Sequence, residues 1–310
     1  MPQTTSSPAI PPRAVLADDT RGMLLGLAGV AIFSLTLPFT RLAVRELDPS
    51  LVALGRALVA AILAAGWLRW RRAALPPRTA LRPLIAVALG CVLGFPWLTS
   101  IAMRSLPASH GAVLVGVLPL ATAAWAALLG RERPSMGFWI VAVASSALVV
   151  GFALRQGGGS LHSADALMLL AVLLGGLGYA EGGRLAQTLG GQQVISWSLL
   201  LAAPFALAML LVLSVPGWIR HAALPSAGLA AWLGFAYVSV LSMFIGFFFW
   251  YRGMALGGVA SVGQMQLLQP FLSLAGAALL LGEPLAPAQW GFALAVIGLV
   301  ALGRMMRVRR

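Results

Sequence analysis

The sequence predicts an all-α polytopic membrane protein, with ten transmembrane helices arranged as two inverted five-helix repeats. Three observations carry this. Of 310 residues, 60% are hydrophobic and 9% charged, with mean hydropathy +0.93, too little charge to cover a soluble globule of this size. Long apolar runs recur from about residue 22 to residue 303 as unbroken Leu/Ala/Val/Gly stretches, and such stretches satisfy their backbone groups in lipid as helices rather than as an alternating β-barrel. Finally, the second half of the chain repeats the first.

In chain order, residues 1–20 are Pro/Ser-rich and are expected to form a disordered cytoplasmic N-terminus. Asp18 and Asp19 ahead of the first apolar run, with no small-residue cleavage site after it, argue against a signal peptide. Arg, Pro and polar residues bound ten runs near 22–40, 50–68, 83–102, 109–129, 136–154, 165–183, 194–215, 227–248, 259–281 and 287–303. Direction follows from the arginines, which supply all 21 basic residues. An N-terminus inside places fifteen of them on the cytoplasmic side and five (Arg41, Arg45, Arg104, Arg155 and Arg220) opposite, with Arg56 inside the second span. The asymmetry favours two cytoplasmic termini, and an even number of spans agrees. Arginines confined to short connections form topology signals, and no basic face for nucleic acid emerges despite a net charge of +13. Cys91 is the one cysteine, so no intramolecular disulfide forms.

A shift of 151 lays residues 117–139 on 268–290, and Pro119, Glu132 and Trp139 fall on Pro270, Glu283 and Trp290. Twelve of the thirty-one positions from 119 to 149 are identical, and three rare residues in one register lift the match above composition. Earlier in each half, Arg41-Leu42-Ala43 matches Arg184-Leu185-Ala186 at a shift of 143, so the second half gains eight residues in between. Repeat 1 spans 21–155 and repeat 2 spans 164–305, with a Gly-rich linker at 156–163 and a basic tail at 306–310. Five spans per repeat is odd, so the second copy enters the membrane from the opposite side.

With these residues in place, the chain resembles the drug/metabolite transporter superfamily, and within it the EamA-type ten-helix exporters. The resemblance rests on the span count, the GRALVAAILA run of the second span and the paired Pro-x12-Glu signatures, and it covers roughly residues 21–305. It implies a bacterial inner-membrane exporter of amino acids and other small metabolites. One departure is LLGRERP in the first half, where the family has LGE directly, so the cap of the fifth span is expected to differ.

Candidate site residues cluster where helices are interrupted. Pro270 removes an N–H and frees the carbonyl of Gln266, Pro119 frees that of Val115, and Pro38 that of Ser34. Gln266, Gln269 and Ser273 share one face beside the break, and a polar stripe with a disrupted backbone suits a cavity better than interhelical bonding alone. Their counterparts Val115, Leu118 and Thr122 make the other wall mainly apolar. Gln264 points elsewhere, where a structural role fits. Ser34 and Thr36 are further cavity candidates, although back-bonding to their own helix accounts for them equally well. Trp97 and Tyr237 would shape the wall, packing being the commoner use of such rings. His110 reads as an interfacial histidine.

Two charges are ambiguous. Arg56 lies about seven residues into its span, roughly 10 Å, from where its stem can snorkel outward; pairing with a substrate carboxylate is the second reading. Glu181 precedes Arg184 by three residues and suits an ion pair ahead of a proton-coupling role.

The expected activity is secondary transport by alternating access around a central cavity, with a proton-coupled multidrug or metabolite antiporter as the alternative. An intramembrane enzyme is disfavoured, since the three histidines lie near span ends or in loops and no acidic or thiol cluster accompanies them. No P-loop is present, no cofactor or metal is expected, and the partners are a small solute and the bilayer. A coupling proton stays open, and a monomer is compatible.

Overall fold

The ten runs appear as ten helical segments among the described residues. These are α1 (Thr20–Val44), α2 (Pro49–Trp70), α3 (Arg78–Ala102), α4 (Ala108–Leu128), α5 (Met136–Gln156), α6 (Ser163–Leu189), α7 (Gly191–Leu213), α8 (Leu229–Gly257), α9 (Gln266–Leu281) and α10 (Pro287–Met305). The computed structural model describes residues 12–129, 133–156, 162–213, 227–257, 262, 265–305 and 308–309. Seven of the segments are long and apolar enough to cross a membrane, and α5, α9 and α10 carry shorter apolar stretches. Beside them is one two-residue antiparallel ladder, Arg133–Pro134 with Val308–Arg309. Gln264, Arg131, Glu132, Arg220 and most of the linker lie outside the described residues.

Local chemistry sets the helix ends. Asp48 caps α2 by accepting from the N–H groups of Ser50 (2.8 Å) and Leu51 (3.0 Å), and Pro49 takes the first helical position, where its missing N–H costs nothing. His162 and Asp165 form a capping box at the start of α6. The end of α9 is Gly282 at φ 63°, a left-handed conformation that an L side chain resists. Helical backbone continues ahead of α1 back to Pro12, a helix-starting proline followed by good helix formers (Ala14, Leu16, Ala17).

Packing pairs α1 with α8, α3 with α6, α2 with α7, α4 with α9, and α5 with α10; α4 also packs on α6, and α9 on α1. Exchanging helix n for helix n+5 maps this set onto itself. The α2–α3 connection spans residues 71–77 and the α7–α8 connection spans 214–228, so the eight extra residues of the second half fall in that one connection. The shift of 151 therefore holds from α3 and α8 onward.

Close approach relies on glycine at the two equivalent crossings. A Cβ on Gly253 of α8 would sit 2.7 Å from the Gly26 nitrogen and 2.9 Å from the Gly22 oxygen of α1. At the α3–α6 crossing, a Cβ on Gly178 would meet the Cys91 backbone nitrogen at 3.0 Å.

Candidate functional site

A small cavity of about 30 Å³ lies within the bundle, walled by α1, α2, α3, α4, α6, α8 and α9. Five of these helices, α1, α3, α4, α8 and α9, have irregular ladders beside it, while α2 and α6 contribute from regular helix. α1 breaks at Leu35, ahead of Pro38; α4 breaks at Gly116 and Val117, ahead of Pro119; α9 opens with a 3₁₀ turn, Gln266–Leu268, ahead of Pro270. Two π-helical segments, Ala88–Gly94 in α3 and Tyr237–Gly246 in α8, bring Cys91 and Ser242 to the cavity. Pro204, by contrast, sits on the exposed face of α7 without a break in the helix. Proline alone is thus not the marker; proline on the inward face is.

The lining is built of positions related by the repeat. Thr36 and Tyr179 correspond at a shift of 143, while Cys91 and Ser242, and Leu118 and Gln269, correspond at 151. Thr36, Arg56 and Ser242, from α1, α2 and α8, form a polar wall joined by hydrogen bonds, and Gln269 of α9 also lines the cavity. Phe95, Pro96, Val115, Leu118 and Gly175 supply apolar lining from α3, α4 and α6. The mixed lining makes the cavity amphipathic.

On the polar wall, the Ser242 hydroxyl accepts from Arg56 Nη2 at 3.0 Å and shares a 2.8 Å hydrogen bond with Thr36 Oγ1. Arg56 is 2% exposed, and its Nε and Nη1 have no partner. The snorkelling reading is thereby corrected: α3, α7 and α8 pack around α2, and the guanidinium turns inward to the Ser242 hydroxyl. Gln269 lines the cavity with its Oε1 unpartnered, and Gln266 is buried beside it with its Nε2 unpartnered.

Other expected residues have structural uses. Ser273 Oγ donates to the Ser34 carbonyl at 2.7 Å, filling the acceptor that Pro38 leaves free, and Ser34 Oγ bonds back to the Val30 carbonyl. The Gln266 carbonyl, expected to be freed by Pro270, instead accepts from the Gln269 N–H because the chain tightens into a 3₁₀ turn. Trp97 Nε1 donates to Ser50 Oγ at 3.4 Å, and Tyr237 stacks on Phe39 and donates to the Ile32 carbonyl. Neither ring lines the cavity. Glu181 accepts from Arg184 Nη2 at 3.2 Å, the expected i, i+3 pair.

Two clusters adjoin the cavity. In one, His110 Nε2 meets Asp165 Oδ1 at 2.7 Å, joining α4 to α6, both groups being buried. Beside it, Glu283 accepts from the Ala108 and Ser109 N–H groups at 2.9 Å each, and Gln289 donates to Ser109 Oγ. Glu283 therefore caps α4, in the other half of the chain. In the other, Phe33, Tyr179 and Phe247, which themselves line the cavity, pack with Trp250 through edge-to-face and tilted ring contacts, and Tyr251 donates to the Gly178 carbonyl.

The lining residues missed from sequence include Ser242, Cys91, Phe33, Tyr179 and Phe247. Cys91 packs against Gly178 and also lines the cavity. The shift of 151 sets Cys91 on Ser242, which was the signal available.

The EamA-like transporter family matches this chain twice, over residues 20–153 and 162–304. The chain belongs to the EamA-like transporter family. As an EamA-like transporter it is a multi-pass membrane protein that works on a small-molecule solute in a lipid setting. It is 47% identical over 285 residues to a protein of Bacillus subtilis (strain 168) named "Uncharacterized transporter YdeK", with 92% of this chain and 97% of that protein aligned. A solved crystal structure, 18% identical, superposes with a TM-score of 0.60 over 91% of this chain and 96% of its own, which shows a shared fold. The two family matches cover the same two halves that the 143- and 151-residue shifts relate.

Proposed function

We propose that this EamA-like transporter exports small metabolites, amino acids foremost, across the bacterial plasma (inner) membrane by alternating access. The two halves, inverted relative to one another, would rock around the central cavity, with both termini cytoplasmic. The observation that carries the reading is the lining itself: one amphipathic cavity, assembled from repeat-related positions of both halves, with every inward-facing irregular turn directed at it. Non-helical backbone at membrane depth is tolerated where it is buried in protein or lines a cavity. Alternating access also requires a separable closure on each side. The His110–Asp165 and Glu283 contacts supply the outer one, and the Phe33–Phe247–Trp250 cluster supplies the inner one.

A second reading, proton-coupled multidrug or metabolite antiport, is favoured by one observation, the buried His110–Asp165 pair. Glu181, paired with Arg184, does not serve it.

Solute flux from proteoliposomes, with and without a pH gradient, tests both. Replacing Gln269 with Leu removes a hydrogen-bonding amide from the lining, a loss of about 1–3 kcal/mol, so apparent affinity should fall about tenfold or more at matched expression. Gln289→Leu is the control: it breaks the bonds to Ser109 and to the Ala286 N–H, and it should lower stability while leaving affinity unchanged. Equal behaviour of the two variants would sink the cavity assignment. Flux that responds to the pH gradient only while His110 and Asp165 are intact would select the antiport reading.

A further inference from the structure

We propose that Arg56 is an anion subsite of the cavity, and that the solute docks a carboxylate on its guanidinium. The inference rests on the cavity reading above and adds the charge that the solute must carry.

The first ground is an uncompensated cation. Arg56 is 2% exposed and receives one hydroxyl from the protein, leaving Nε and Nη1 without acceptors. A buried charge needs a partner, because desolvation is repaid only by pairing and hydrogen bonding. No carboxylate lines the cavity among the described residues. The described acids whose bonds are known are engaged elsewhere: Asp165 with His110, Glu181 with Arg184, Glu283 and Asp48 at helix N-termini, and Glu46 at the Gly228 N–H. A guanidinium has five donors in a planar fork that matches a carboxylate, and here most of that fork is unused.

The second ground is asymmetry. The repeat counterpart of Arg56 is Leu199, fully buried on α7 at the α2–α7 crossing. The fold accepts an apolar side chain at that position, so helix packing does not demand an arginine.

Third, the surroundings suit the remainder of such a solute. Ser242 and Thr36 supply hydroxyl groups beside the cation, Gln269 adds an amide to the lining, and Phe95 and Leu118 offer apolar surface for a tail. Carboxylate binding would also leave the loaded cavity electrically neutral, which lowers the cost of closing both sides around it. A free carrier would have to close over a bare cation. The solute's negative charge therefore favours closure with cargo over closure without it.

The test uses purified full-length protein and matched pairs of aliphatic and aromatic carboxylates with their amides, read by ligand-induced thermal stabilisation and titration. Carboxylates should stabilise the wild type and their amides should not. Arg56→Leu should fold at least as well as the wild type and bind the acids at least tenfold more weakly, without preference over amides. Arg56→Lys, which keeps the charge and loses the fork, should bind acids more weakly and still prefer them. The proposal is overturned if no acid binds, if acids and amides bind the wild type alike, or if Arg56→Leu keeps the preference for acids. Should Arg56→Leu not fold, an unchanged acid affinity in Arg56→Lys overturns the fork pairing. Gln269→Leu separates the two levels. If it weakens acids and amides equally while Arg56 variants change nothing, the cavity stands and the anion subsite falls; if neither position matters to a ligand that binds, the cavity reading falls as well.

Discussion

Ser34 shows how a single backbone group can join two repeats. Pro38 cannot donate to the Ser34 carbonyl, and Ser273 from α9 fills the place at 2.7 Å. A buried carbonyl left without that donor is costly, so Ser273→Ala should lower the stability of the folded protein by about 0.5–1.5 kcal/mol, read from unfolding in detergent. Affinity for solute should stay put, because Ser273 does not line the cavity; an unchanged unfolding midpoint would mean that the carbonyl finds another donor. The freed carbonyl was legible, since proline chemistry is local. Its partner was not, because Ser273 lies 239 residues away. Arg56 failed for a related reason. Snorkelling is a property of one helix in lipid, and α2 is enclosed by α3, α7 and α8.

At the scale of elements, the ten apolar runs and the three proline breaks were readable, because hydropathy and proline act over a few residues. The π segments of α3 and α8 were not. A π turn carries no composition of its own and is set by what the helix packs against. Both segments belong to helices whose opposite crossing is tight: α3 meets α6 through Gly178, and α8 meets α1 through Gly253. The consequence of these glycines for Cys91 and Ser242 was not legible. Gly253→Val tests the crossing. Its Cβ would overlap backbone atoms of Gly22 and Gly26, which cannot rotate away, so α1 and α8 must separate. Overpacking of this kind costs about 1–3 kcal/mol, and flux should fall along with thermal stability. A variant of normal stability and flux would show that the α1–α8 crossing slides freely.

For the whole molecule, the repeat was legible because Pro, Glu and Trp are rare enough to fix a register in a chain of Leu and Ala. Composition hid the weaker match of the third and eighth spans. The packing pattern recovers it, since α3 and α8 both pack through glycine on the first helix of the other half, and the extra eight residues collect in one connection. The exchange also accounts for Glu283 capping α4: a signature at the end of one half reaches the start of a helix in the other. Orientation is a separate matter, because packing is blind to which side is the cytoplasm. Fifteen arginines against five favour cytoplasmic termini. The ladder of Val308–Arg309 with Arg133–Pro134 ties the C-terminal tail to the side of the α4–α5 connection, and that side also carries Arg69, Arg71 and Arg72 at the end of α2 in the ten-span arrangement. Reporters fused after residue 310 and inserted within 156–163 should therefore report opposite compartments, the C-terminal one cytoplasmic. The insertion is the sharper half of the experiment, since an odd number of spans must separate it from either terminus. A cytoplasmic signal from both sites would leave an even number of crossings in each half, and the two halves would then be parallel, not inverted.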